Sequence, residues 1–166
     1  WNRAMPELQN IELSRTYEDV TQSRGDLYVE LLSAIQKRLG HDEAVAVMKE
    51  AINSWGKTQG RSLLCHAPEN FLGLLNDFGY APDNGKTFGV HVEKCDDAGL
   101  DVQMTKCPLK DAWTAAGLAD DRIALLCEIA AEADYGALEA AGFKVSIDTW
   151  QQGKSGCCVL HIRKKN

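Results

Sequence analysis

The hydrophobic residues first change period near the middle of the chain, and that change, repeated before the C-terminus, sets the fold class. Before it, apolar residues recur at helical spacing. Leu27, Leu31, Leu32, Ile35 and Leu39 make one stripe from about Tyr17 onward, and Val45, Met48, Ile52 and Trp55 make a second. After it they alternate. Phe88, Val90 and Val92 interleave with His91, Glu93 and Cys95, and Leu100, Val102 and Met104 interleave with Asp101, Gln103 and Thr105. Period two on both sides of Asp96-Asp97-Ala98-Gly99 predicts a β-hairpin with one apolar face. A second alternating pair, residues 143–150 and 157–162, flanks Gln151-Gln152-Gly153-Lys154-Ser155-Gly156. Between the pairs, Pro108 opens a short helix that Gly117 ends. Asp120 or Asp121 then caps a longer helix carrying Ile123, Leu126, Cys127, Ala130, Ala131 and Asp134. Helices, hairpin, helices, hairpin predict an α+β domain: a four-stranded, largely antiparallel sheet built from two hairpins, with helices packed on one face.

Local signals refine the helical half. Gly40 suits the left-handed position that ends a helix, and Asp42 with Glu43 suits the start of the next. Gly56 and Gly60 are expected to interrupt that second helix, and a third covers about 68–78. Residues 1–13 have weak periodicity and read as an N-terminal arm able to pack on a partner subunit, which leaves a homo-oligomer open. No repeat, low-complexity tract or linker divides the chain, so residues 1–166 read as a single domain. A chain of this length buries about two-thirds of its unfolded surface without covalent staples.

Charge and composition exclude several functions. A net charge of −6, with basic residues scattered except at Arg163-Lys164-Lys165, argues against a nucleic-acid partner. No apolar run approaches the roughly eighteen residues of a membrane span, and nothing resembles a signal peptide. The expectation is therefore a cytoplasmic protein with no membrane partner. Six cysteines in a helix-rich chain without a secretion signal read as reduced thiols, not as a disulfide framework.

Three of those cysteines and one carboxylate stand out. Cys107 opens a Cys-Pro-Leu turn, Cys127 and Asp134 lie seven residues apart on one helix face, and Cys158 lies in the last strand. Strand alternation groups Cys158 with Leu160 and Ile162 on the side expected to be buried. Three elements thus have the means to converge on one spot. His91 lies on the polar face of the first hairpin, where it either lines a pocket or meets solvent, and Trp113 and Trp150 suit either core or substrate platform. Cys107, Cys127 and Cys158 with Asp134 also make a donor set for tetrahedral Zn²⁺, although their spacings of 20, 7 and 24 residues are unlike those of zinc knuckles. The cofactor expectation is accordingly none, or zinc.

At these residues the chain resembles the L-2-amino-thiazoline-4-carboxylic acid hydrolase family. The resemblance rests on Cys107-Pro108-Leu109 with Trp113 and Gly117, Leu126-Cys127-Glu128-Ile129, Asp134, and Trp150-Gln151-Gln152-Gly153 leading to Cys158. The rhythm of cysteines closing on Gly153 and Cys158 is also similar to 4-vinyl reductase-like domains, which bind small molecules and can hold zinc. The first resemblance implies a small-molecule substrate and hydrolysis of a C=N bond in a cyclic amidine or isothiourea, opening the ring. The second implies a non-catalytic sensor.

For the hydrolase, Cys107 at a helix start is the expected nucleophile, as a thiolate of lowered pKa. Asp134 is the expected acid or base, with Cys127 beside them. Arg122, Lys106 and Arg61 are candidate holders of a substrate carboxylate. A metal-activated water is the alternative nucleophile.

Overall fold

The computed structural model describes residues 5–165. Helix α1 runs Met5–Leu39, so residues 5–13 are not an irregular arm but the first turns of α1. Pro6 sits in that first turn, where its missing N–H costs nothing. Residues 1–4, the rest of the expected arm, lie outside the described residues. Gly40 ends α1 at a φ of +88°, and α2 (His41–Gly60) begins directly after it. Asp42 and Glu43 lie in the first turn of α2, at the positive end of its dipole.

Contrary to expectation, α2 runs through Gly56 unbroken. Both of its last two glycines are buried against the fifth helix, α5 (Asp120–Ala140). A Cβ on Gly56 would collide with the Ala133 carbonyl, one on Gly60 with that of Ala137, and one on Gly136 with that of Asn53. These glycines form a backbone-to-backbone seam, and packing stabilises the helix beyond what propensity offers.

The third helix, expected over about 68–78, is two short pieces preceded by a separate turn. A 3₁₀ turn (Arg61–His66) comes first, then α3 (Phe71–Leu74), then a π-type turn (Leu75–Tyr80). Pro68 cannot continue the first ladder, and Asn70 restarts the helix by accepting the Gly73 N–H at 3.0 Å.

The two hairpins form a single sheet in the order β1-β2-β4-β3, antiparallel throughout. Its strands are β1 (Val90–Asp96), β2 (Gly99–Met104), β3 (Phe143–Asp148) and β4 (Val159–Lys164). Register places Val102, Leu160 and Ile147 side by side, and likewise Leu100, Ile162 and Val145. This apolar face packs on Phe71, Leu74, Leu75 and Leu138. The opposite face carries Asp101, which accepts from His161 Nδ1 at 3.0 Å and from Arg163 Nη2 at 3.1 Å. A second core joins α1, α2, α5 and the short helix α4 (Pro108–Ala115) through Tyr28, Leu32, Met48, Trp113, Ile123 and Leu126. Among the described residues no helix is long and apolar enough to cross a membrane.

Candidate active site

A cavity of about 350 Å³ lies between the two cores and takes wall residues from both. Its shape follows from three local events. Along the glycine seam α2 and α5 present the small residues Gly56, Ala130, Ala133 and Ala137 to the cavity, beside Trp55, Gln59, Cys127 and Asp134. Buried Asp83 fixes the loop before β1 by accepting from the N–H groups of Lys86 and Thr87 and from the Thr87 hydroxyl, at 2.7–3.1 Å, and this loop delivers Phe88 to the wall. The third event is a β-bulge ahead of β4. Cys157 N–H donates to Met104 O, and Met104 N–H donates to Cys158 O, both at 2.8 Å, so two residues oppose one. Gly156, at a φ of +74°, enters that bulge.

The cavity brings together Cys107, Cys127, Cys158 and Asp134. It also takes in Cys157, which strand alternation assigned to the other face; the bulge breaks period two and lets both neighbouring thiols face inward. All six cysteines are free, with Cys65 and Cys95 exposed away from the site. Trp113 is buried in the helical core and lines the cavity, with its indole N–H already donating to Gly25 O at 2.9 Å. Trp150 and His91 do not line it. Trp150 packs on the helical core and offers its backbone to Cys158, while His91 is exposed on β1.

Electrostatics here are governed by desolvation. Burial pushes Cys157 and Cys158 up to about 12, and Cys127 is raised by burial and then by its thiol neighbours. Cys107 is also raised by burial, against the expectation of a lowered value. The N–H groups of Leu109 and Lys110 at the helix start pull the thiol pKa down, but Cys107 accepts no capping hydrogen bond and desolvation outweighs them. The cavity is therefore lined by neutral thiols at neutral pH. Among the described residues, no group of three or more His, Cys, Asp or Glu side chains is arranged to hold a metal ion. Cys107, Cys127 and Cys158 all line the cavity.

Four charged residues line the cavity with those thiols: Asp77 meets His66 Nε2 at 2.8 Å and Asp83 holds the loop before β1, which leaves Asp134 and Arg24. Burial raises Asp134 to about 6, and the Arg24 charge holds it down only in part. Asp134 makes no hydrogen bond or ion pair among the described residues. Arg24 from α1 lies over the Trp55 ring, 5.2 Å from its centroid, and its Nε is buried without a partner. Unpaired buried charges are costly and mark places where a ligand completes the pairing. Tyr17 and Tyr28 flank them, and burial raises both phenols, which stay protonated.

Arg24 was not among the sequence-based candidates. Arg122 spends its guanidinium on Gln36 at 3.2 Å and Ser33 at 3.5 Å, and neither Lys106 nor Arg61 lines the cavity. A signal for Arg24 did exist: it falls on the inward helical face with Thr21, Tyr28 and Leu32, where a charge has no structural reason to be.

The chain is thus a helix-and-sheet shell around an enclosed carboxylate, an enclosed guanidinium and a row of neutral thiols. No curated protein matches it. The family described as L-2-amino-thiazoline-4-carboxylic acid hydrolase matches residues 21–162, a span reaching from the middle of α1 into β4. With most of its length matched, the chain belongs to that hydrolase family.

Proposed function

We propose that the chain hydrolyses a small carboxylated cyclic amidine or isothiourea, opening its ring, with Asp134 as general base and Arg24 as the carboxylate anchor. One observation carries the reading: Asp134 and Arg24 face the same cavity and neither has a hydrogen-bond or ion-pair partner among the described residues. An Arg fork matches a carboxylate in charge and geometry. A carboxyl group raised to about 6 is ionised at neutral pH, yet basic enough to take a proton from water.

In the reaction, water adds to the amidine carbon as Asp134 takes one of its protons and passes it to the ring nitrogen. Collapse of the tetrahedral adduct forms C=O as Asp134 takes the hydroxyl proton and delivers it to the ring heteroatom whose bond to that carbon breaks. Substrate and one water thus give the opened product, and the base is regenerated. The phenols of Tyr17 and Tyr28 are protonated donors beside the site.

A second reading is favoured by a separate observation. The Leu109 and Lys110 N–H groups at the Cys107 sulfur would stabilise a thiolate as it formed during attack, with Asp134 again accepting the proton. Turnover of 2-amino-thiazoline-4-carboxylate by Asp134→Asn, Arg24→Gln and Cys107→Ser tests both readings. Asp134→Asn is expected to cut kcat by about 10²–10⁴-fold. Arg24→Gln is expected to raise KM far more than it lowers kcat. Full turnover by Asp134→Asn would overturn the leading reading, and loss of turnover in Cys107→Ser with a normally folded chain would move the chemistry to the thiol.

A further inference from the structure

The cavity is larger than the substrate for which the family is named, and the surplus has a definite character. Resting on the hydrolase reading above, we infer that the ligand of this chain carries a planar aryl or heteroaryl substituent on its carboxylated heterocycle. A single amino-substituted five-membered ring with a carboxylate displaces roughly five waters, or about 150 Å³ at about 30 Å³ each. The cavity holds about 350 Å³. More than half of it lies beyond such a molecule, enough for one further ring or a fused pair.

Much of the wall around that surplus is apolar, beside the polar residues Gln59, Ser62, Asp77 and Asp83. One stretch is bare and non-polar, formed by Gly56, Ala133 and Ala137, where no side chain projects past a methyl group. Another is aromatic. Phe88 meets Tyr17 edge to face with centroids 6.0 Å apart, and Phe78 lines the same cavity. Tyr17, Phe78 and Phe88 are each only half-buried, so they keep apolar area that a ligand can cover. Water in an apolar recess finds few partners and is readily displaced, whereas a flat π-surface gains stacking and edge contacts with the rings. The charged groups, Arg24 and Asp134, then hold the carboxylate and the reacting carbon, and the rings take the substituent.

The experiment compares 2-amino-thiazoline-4-carboxylate with its 2-anilino and 5-phenyl counterparts, by calorimetric binding and by kcat/KM. Burying a phenyl group corresponds to a factor of roughly ten to a hundred. At least one aryl compound is therefore expected to bind the wild-type chain tenfold or more tighter than the parent. Phe88→Ala should shrink that ratio several-fold while affecting the parent compound less. Should this variant fail to fold, the wild-type ratio alone decides. If the parent binds and turns over as well as both aryl compounds, the inference is overturned and the hydrolase reading stands. If none of the three binds or turns over, the hydrolase reading is overturned and the inference falls with it.

Discussion

Asp134 should cost the protein stability in proportion to its ionisation, and its removal should expose that cost. Its folded-state pKa is raised from 3.8 to about 6 by burial. For a group raised in this way, the favourable contribution is complete below the unfolded value and is lost as pH rises through the folded value. Between about pH 4 and pH 7 the ionising carboxylate therefore lowers folding stability. At about 1.4 kcal/mol per pH unit, the interval from 3.8 to about 6 amounts to about 3 kcal/mol. Asp134→Asn replaces the group with a neutral one of similar shape and abolishes that dependence. Relative to wild type, the variant should be about 3 kcal/mol more stable at pH 8 than it is at pH 4, whatever the amide itself contributes through packing. For a domain of this size that difference corresponds to about 6–12 °C in Tm. Urea unfolding of both proteins at the two pH values measures it directly. A relative stability that is the same at pH 4 and pH 8 would refute the claim that Asp134 is a desolvated, unpaired carboxylate. Stabilisation together with loss of turnover is the expected signature of a functional strain.

Four further outcomes follow from the same geometry. The pH profile of kcat/KM should rise through about pH 6 to a plateau, as the base form of Asp134 accumulates; a profile flat from pH 5 to pH 8 would contradict its role. Alkylation by iodoacetamide at pH 7 should label exposed Cys65 and Cys95 well before the four cavity thiols, as peptide mass spectrometry will show, and early labelling of Cys107 would mean that its thiolate is stabilised after all. Gly56→Ala should destabilise by about 1–3 kcal/mol, because the new methyl meets the Ala133 backbone and neither helix can yield alone. Trp113→Phe should lower stability by about 1 kcal/mol or more in thermal melts, since it removes the indole hydrogen bond to Gly25 O and leaves a void beside α1.

Much of the fold was legible because the two alternating segments have one apolar face each, and Leu100, Val102, Leu160 and Ile162 are indeed fully or almost fully buried. The meeting of Cys107, Cys127, Asp134 and Cys158 on one wall was legible for a similar reason: a spacing of seven keeps two side chains on one helix face. What was not legible depends on tertiary contact. Gly56 and Gly60 look like breaks until α5 is placed against them. Cys157 is assigned to the wrong face by simple alternation, because a bulge depends on Met104, more than fifty residues away. Cys107 illustrates a competition of scales: its favourable N–H donors are local and readable from Pro108, whereas the burial that defeats them comes from the whole cavity. Arg24 was overlooked inside the polar run Thr21-Gln22-Ser23-Arg24-Gly25-Asp26, although its face is shared with Tyr28 and Leu32.

The glycine seam between α2 and α5 also sorts the cavity wall by how freely it can be rewritten. On the seam, backbone touches backbone, so any larger residue at Gly56, Gly60 or Gly136 displaces a helix instead of reshaping a pocket. Tyr17, Phe78 and Phe88 project from a helix face and a loop, and each can be shortened or enlarged without moving α5. A variant library aimed at new substrates therefore belongs on those three aromatic residues. Copies mutated at the seam would lose stability without reshaping the pocket.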